Sequence, residues 1–219
     1  MKNKKILVFA PHADDAEIAM GGTIAKLAKN NQVTIVTAII PVENNLGKKN
    51  NYMIKNRLNE QIKSAKILGA KLEVMNIDQY KFEFNRKFVK IFDNLLKKYN
   101  PNIVFSCWEH DTHQDHKSLS KIIYSVLRKN DTSLYVYEAM LPGGLNSHTF
   151  SPQLFINISN QIKKKINALK SFKSVFRNKN NTYSNYFDSI IARAKYRGGT
   201  IGVKYAEAFQ VIKEIDFND

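Results

Sequence analysis

Five short apolar runs, each stopped by turn residues and followed by a segment of helical period, leave this chain few architectures. The runs are Lys4–Ala10, Gln32–Ile40, Leu72–Ile77, Ile103–Cys107 and Leu134–Tyr137. They are short, bounded and nearly continuous, as strands buried on both faces should be. Between them lie Thr23–Lys29, opened by Gly21-Gly22, and Arg57–Leu68, with Leu58, Ile62, Ala65 and Leu68 at helical spacing and Gly69 as its stop. Phe84–Tyr99, ended by Asn100-Pro101, and Asp115–Arg128 follow. Strands alternating with helices predict βαβ units, hence an α/β, Rossmann-like fold whose largely parallel sheet is covered by helices on both faces. Ligands of such sheets sit beyond the C-terminal strand ends. From Pro142 the pattern loosens into a turn at Pro142-Gly143-Gly144, a strand-like Leu154–Ile158, a helix near Gln161–Phe172, and Asn- and Ser-rich loops. No repeat or linker divides the chain, so residues 1–219 are expected to form one domain.

The net charge of +15 raises the question of nucleic acid. Only six of the 34 basic residues are Arg, the residue that pairs bidentately with phosphate and guanine. The lysines are scattered among asparagines, as in Lys49-Asn50-Asn51 and Lys179-Asn180-Asn181, which reads as a solvated surface with no specific nucleic-acid partner. Part of the charge is free to attract an anionic substrate or a membrane surface. Cys107 is the only cysteine, so no intrachain disulfide forms. The apolar run Ile6–Ala10 is too short for a signal peptide, and no stretch approaches the roughly 20 apolar residues of a transmembrane helix. A cytoplasmic location is expected.

Two segments carry chemistry, and both follow predicted strands. Pro11-His12-Ala13-Asp14-Asp15-Ala16-Glu17 comes after the first, and His110-Asp111-Thr112-His113-Gln114-Asp115-His116 after the fourth. They hold most of the chain's five histidines. Imidazole and carboxylate suit Zn²⁺ in a hydrolytic site, which uses three protein ligands and keeps a position for water. His12 with Asp15, and His113 with His116, are each three residues apart, and either pair can face one ion. The competing reading is helix-capping carboxylates and surface histidines, which two such clusters at matched strand ends make hard to sustain. Gly21-Gly22 lacks the three spaced glycines of a dinucleotide loop and reads as a close-packed turn. No G-x-S-x-G elbow is present, and Cys107 lies inside a predicted strand, so nucleophilic catalysis is unsupported.

At these residues the chain resembles the LmbE/PIG-L family of zinc-dependent N-deacetylases. Residues 11–17 followed by Gly21-Gly22-Thr23 resemble its first motif, with Ala13 where proline is usual, and His113-Gln114-Asp115-His116 resembles its H-x-D-H motif. Arg57, Glu60 and the Ala65–Gly69 helix end resemble its R-x-x-E…LG segment, and Tyr205-Ala206-Glu207-Ala208-Phe209 its closing strand. Asp111 stands where some members have a mobile tyrosine, and Phe172-Lys173-Ser174 where many have His-x-Ser-Gln. The resemblance implies that His12, Asp15 and His116 bind Zn²⁺ and that Asp14 is the general base. It further implies that His113 stabilises the oxyanion and that Asp115 keeps His113 protonated. Arg57 and Asp78 would contact the substrate, a small amino sugar; the group attached to it stays open, and a phosphate or carboxylate there would suit the positive charge. Removal of an acetyl group from an N-acetylated amino sugar is the activity implied, and a homo-oligomer the expected state. Two alternatives stay open: a hydratase or conjugate-cleaving amidase on the same fold, and a basic nucleic-acid-binding module with a structural zinc.

Overall fold

A computed structural model of the chain describes residues 2–39, 51–138, 148–176 and 186–216. Their order is β1 (Lys5–Ala10), α1 (Asp15–Leu27), β2 (Gln32–Ile39), α2 (Asn51–Leu68), β3 (Lys71–Ile77), a 3₁₀ turn (Gln79–Lys81), α3 (Arg86–Tyr99), β4 (Ile103–Cys107), α4 (Gln114–Leu127) and β5 (Ser133–Tyr137). Then come β6 (Leu154–Asn157), α5 (Ile162–Leu169), α6 (Lys173–Phe176), α7 (Tyr186–Thr200) and β7 (Ala206–Lys213). The sheet runs β3-β2-β1-β4-β5-β7-β6. Its first five strands are parallel, as expected, while β7 lies antiparallel to both β5 and β6, so the whole sheet is mixed.

Strand order reverses between β1 and β4, because β2 and β3 extend the sheet to one side of β1 and β4 and β5 to the other. With right-handed crossovers this puts α1 and α2 on one face and α3 and α4 on the other. Accordingly α1, α2 and α5 pack together, and α3 packs with α4. The loops leaving β1 and β4 therefore part company at the crevice where open α/β sheets bind ligands. The core beneath is continuous, with Val8, Phe9, Ile35, Val36, Val104 and Phe105 at most 1% exposed.

Several boundaries move. Gly21-Gly22 does not open the first helix; α1 begins at Asp15 and kinks at Met20 (φ −140°, ψ 26°). The kink frees the amides of Gly22 and Thr23, which donate instead to the two carboxylate oxygens of Glu207 on β7 at 3.0 and 2.6 Å. Lys165 of α5 donates to the freed Ile18 carbonyl at 2.8 Å and pairs with Glu207 at 2.5 Å. Glycine is needed there for close approach: a Cβ on Gly22 would lie 2.7 Å from Ile158. On α2, Ala65 and Leu68 are buried as the spacing predicts, but Ile62 turns outward at 50% exposure while Gln61 and Ser64 are buried. Gly69, at φ +84°, ends that helix as expected. The predicted Leu154–Ile158 strand is β6, and the predicted 161–172 helix is the shorter α5. The turn at Pro142-Gly143-Gly144 and the strand end at Ile40 lie outside the described residues. Helix α7 falls where loops were expected, although Phe187, Ile190, Ala194 and Gly198 bury one helical face. No helix among the described residues is long and apolar enough to cross a membrane.

Candidate active site

The end of β1 turns sharply through residues 11–14. Asp14 is held at φ 102°, ψ −28°, a left-handed conformation that costs a non-glycine residue on the order of 1–3 kcal/mol. That twist sends the adjacent carboxylates apart. Asp14 faces a cavity, with Arg57 Nη1 3.4 Å away. Asp15 turns inward, where its Oδ2 accepts the His12 backbone N–H at 2.8 Å.

The same Asp15 oxygen lies 3.3 Å from His12 Nδ1 and 3.3 Å from His116 Nε2. Ligand atoms held tetrahedrally at zinc's usual distances of roughly 2.0–2.1 Å would be about 3.3–3.4 Å apart. Each imidazole has its second nitrogen on another carboxylate: His12 Nε2 on Asp115 Oδ2 at 2.9 Å, and His116 Nδ1 on Asp111 Oδ2 at 2.8 Å. This carboxylate–histidine pairing is what fixes the tautomer and aim of metal-ligating imidazoles. A second set, His12, His113 and Asp115, also brings its donor atoms together. It is the poorer one, because His113 Nδ1 is 3.9 Å from Asp115 Oδ2 and already accepts the Asp115 backbone N–H at 3.2 Å. The residues at the inner set fit a zinc ion in number, type and spacing.

Electrostatics agree with a cation site. Burial disfavours charge on His12 and His116, yet the facing carboxylates outweigh it. His12 is raised to about 9, chiefly by Asp115 and Asp15, and His116 to about 10 by Asp15 and Asp111. Burial works equally against the Asp15 carboxylate, but His116 and His12 hold it far below its usual range. Asp14 is pushed well above its usual value, first by burial and then by Asp15, with Arg57 pulling the other way. Glu17, wholly buried beneath, is raised by burial to about 7.

The structure assigns Asp115 differently from the role implied by resemblance. Its carboxylate holds His12, while its backbone amide meets His113, the residue that caps α4. With Nδ1 accepting, His113 carries its proton on Nε2, and burial followed by the charges of His12 and His116 lowers its pKa. Nε2 is then the ring nitrogen left to donate. Asp78 also does something unforeseen: its carboxylate caps the 3₁₀ turn, accepting Tyr80 N–H at 3.0 Å, and it is not among the residues that line the cavity. Arg57 does line it, together with Gln79, Tyr80, Gln114 and Val175, in a space of about 450 Å³. Cys107 is buried, with its thiol donating to the His116 carbonyl at 3.2 Å.

Sequence reasoning passed over Asp111, seen only as a departure from a tyrosine. It is 1% exposed and its other oxygen accepts His113 N–H at 2.9 Å, so it orients both ends of the H-x-D-H segment. The signal available was one more acid five residues before a candidate ligand. The role of Glu60 was also missed: it accepts the backbone N–H and hydroxyl of Ser174 and so fixes α6, which brings Val175 to the cavity.

Known proteins share the family and the fold of this chain. The family model for PIG-L, described as GlcNAc-PI de-N-acetylase, matches residues 7–127, more than half of the chain. Diacetylchitobiose deacetylase from Thermococcus kodakarensis is 25% identical over 235 residues, covering 97% of this chain and 84% of that protein. Among solved structures, N,N'-diacetylchitobiose deacetylase from Pyrococcus horikoshii superimposes with a TM-score of 0.80 at 22% identity, covering 99% of this chain and 88% of that one. The 4-carboxy-2-hydroxymuconate hydratase from Pseudomonas putida gives 0.77 at 18% identity, covering 100% and 99%.

Proposed function

Because the chain belongs to the PIG-L family, we propose that it is a zinc-dependent hydrolase that removes the acetyl group from an N-acetylated amino sugar. The observation that carries this reading is the trio His12 Nδ1, Asp15 Oδ2 and His116 Nε2, spaced at 3.3 Å around the shared carboxylate oxygen. It lies behind a cavity walled by His12, Asp14 and His113. When bound there, zinc supplies a water acidified toward a pKa of about 7 and polarises the amide carbonyl.

The chain's own groups do the rest. Asp14, raised and facing the cavity, takes a proton as the water attacks and returns one to the leaving amine. His113 donates from Nε2 to the oxyanion developing on the acetyl carbonyl, a role that a neutral imidazole fills. Asp115 and Asp111 hold the two ligating rings. Arg57 aims Asp14 and presents its guanidinium to the sugar or to an anionic group attached to it.

Acetate release from a panel of N-acetylglucosamine conjugates, run beside metal analysis of the purified protein, tests the reading. One zinc per chain with acetate from at least one conjugate is expected. Acetate from none, or hydration of an unsaturated acid instead, would discard it in favour of the chemistry of the hydratase neighbour.

A further inference from the structure

Arg57 reaches Asp14 from α2, a helix that is loosely packed at that end. Among the described side chains of α2, none before Gln61 is buried. Gln61 is an unexpected residue for the first buried position. It falls on the inward face with Leu58, Ala65 and Leu68, where helical spacing calls for an apolar side chain. It is 0% exposed, and its Oε1 has no partner among the described residues, a desolvation cost that leucine would not carry. What the amide gains is one directed contact: Nε2 donates to Thr37 Oγ1 of β2 at 2.5 Å.

Where that contact is made gives it a purpose. Thr37 pairs with Ala10, the last residue of β1, and two residues on the Ile39 N–H donates to the Pro11 carbonyl at 2.8 Å. The hydrogen bond therefore fastens α2 to the strand pair from which His12, Asp14 and Asp15 emerge. Arg57 lies four residues before Gln61, one turn along the same helix face, with its Nη1 3.4 Å from Asp14 Oδ2. Apolar packing tolerates sliding, whereas a buried polar contact selects one register, the best-attested use of such residues. A slip of one residue would move Arg57 about 1.5 Å along the helix and about 100° around it, away from Asp14. We propose that Gln61 is a positioning residue: through Thr37 it sets the place of Arg57, and through Arg57 the aim of Asp14. It does not line the cavity, so it acts without meeting the substrate.

This rests on the deacetylase reading, and the experiment separates the two. Acetate release is measured from the N-acetylglucosamine conjugate that the wild type turns over best, with zinc content and the urea midpoint checked in each variant. Replacing both partners, in Thr37→Val with Gln61→Leu, leaves no buried polar group behind and should keep the midpoint close to that of the wild type. Its kcat/KM should nevertheless fall roughly ten-fold, because a small misplacement at a catalytic group is costly. Thr37→Ser, which keeps the hydroxyl, should stay within about two-fold of the wild type. In an Arg57→Ala background the paired replacement should cost less than about two-fold more, since its effect passes through Arg57. Equal losses with and without Arg57, unchanged kcat/KM, or activity lost together with zinc or stability would overturn the positioning role. A wild type that releases acetate from no conjugate would bring down the deacetylase reading and this inference with it.

Discussion

The ends of β1 and β4 and the junction of α1 with α5 and β7 both bury charged side chains, but they finish the job differently. At the junction the charged groups are matched: Glu207 accepts from two amides and an ammonium, and Lys165 donates to a carbonyl and to that carboxylate. At the strand ends, three carboxylates face two imidazoles, Asp115 Oδ1 has no hydrogen-bond partner, and Asp14 keeps a strained backbone and a raised pKa. One region is satisfied and holds shape. The other is left short of positive charge, which is how a protein prepares a place for a metal ion and a proton in transit.

The largest expected effect falls at the strand ends. Asp14→Asn removes the proton acceptor without touching the Asp15, His12 and His116 set, so zinc should stay at one per chain while kcat drops by about 10²–10⁴-fold. Zinc lost along with activity would make Asp14 a ligand and erase the division of labour between the two aspartates. The junction should answer in stability instead. Glu207→Ala leaves Lys165 as an unpaired buried charge, and urea unfolding should show a loss of about 3–5 kcal/mol. Replacing Glu207 and Lys165 together by Leu and Met should recover only part of it, since the Gly22 and Thr23 amides remain unpaired. Full recovery would mean that the capping of the kink contributes nothing.

Why the two regions differed in legibility follows from how each is encoded. The site residues are chemically unusual and sit within seven residues of one another in each segment, and the strand ends that unite them follow from alternation alone. The junction joins Gly22, Lys165 and Glu207, which lie up to 185 positions apart, through a lysine and a glutamate that look like any others in a chain with 34 basic residues. Helix α7 was hidden for a related reason: its buried face is Phe187, Ile190, Ala194 and Gly198, and two of those four are too small to register as an apolar stripe. The reassignment of Asp115 from His113 to His12 required the position of β1 beside β4, which no local spacing contains.

Asp111 tests whether the carboxylates behind the ligands belong to the charge-short region or merely pack there. Asp111→Asn keeps shape but weakens the pull on the His116 ring, so zinc affinity should fall by about 10–100-fold, with zinc-saturated turnover reduced less. Competition with a chelator measures the affinity. Unchanged zinc binding would assign Asp111 a packing role only.

The smallest effects concern the glycine pair, where two adjacent substitutions should differ in sign or nearly so. Alanine is preferred to glycine in a helix interior by up to about 1 kcal/mol, so each change begins with a gain. At Gly22 the new Cβ would lie 2.7–2.9 Å from three atoms of Ile158, a side chain that is itself 0% exposed and has no room to withdraw. Overpacking of that kind costs typically about 1–3 kcal/mol, which exceeds the gain, so Gly22→Ala should lower stability. At Gly21 the nearest atom is Lys165 Cγ at 3.2 Å, a methylene on a flexible stem. A shift of a few tenths of an ångström there relieves the contact, and Gly21→Ala should unfold within about 1 kcal/mol of the wild type. Both proteins should keep their zinc, because neither glycine touches the ligands. Equal destabilisation would show that the Lys165 stem is held as rigidly as Ile158 by its contacts to Ile18 and Glu207. A loss of zinc in Gly22→Ala alone would show that the kink sets the position of Asp15, and the two regions would then be one mechanical unit.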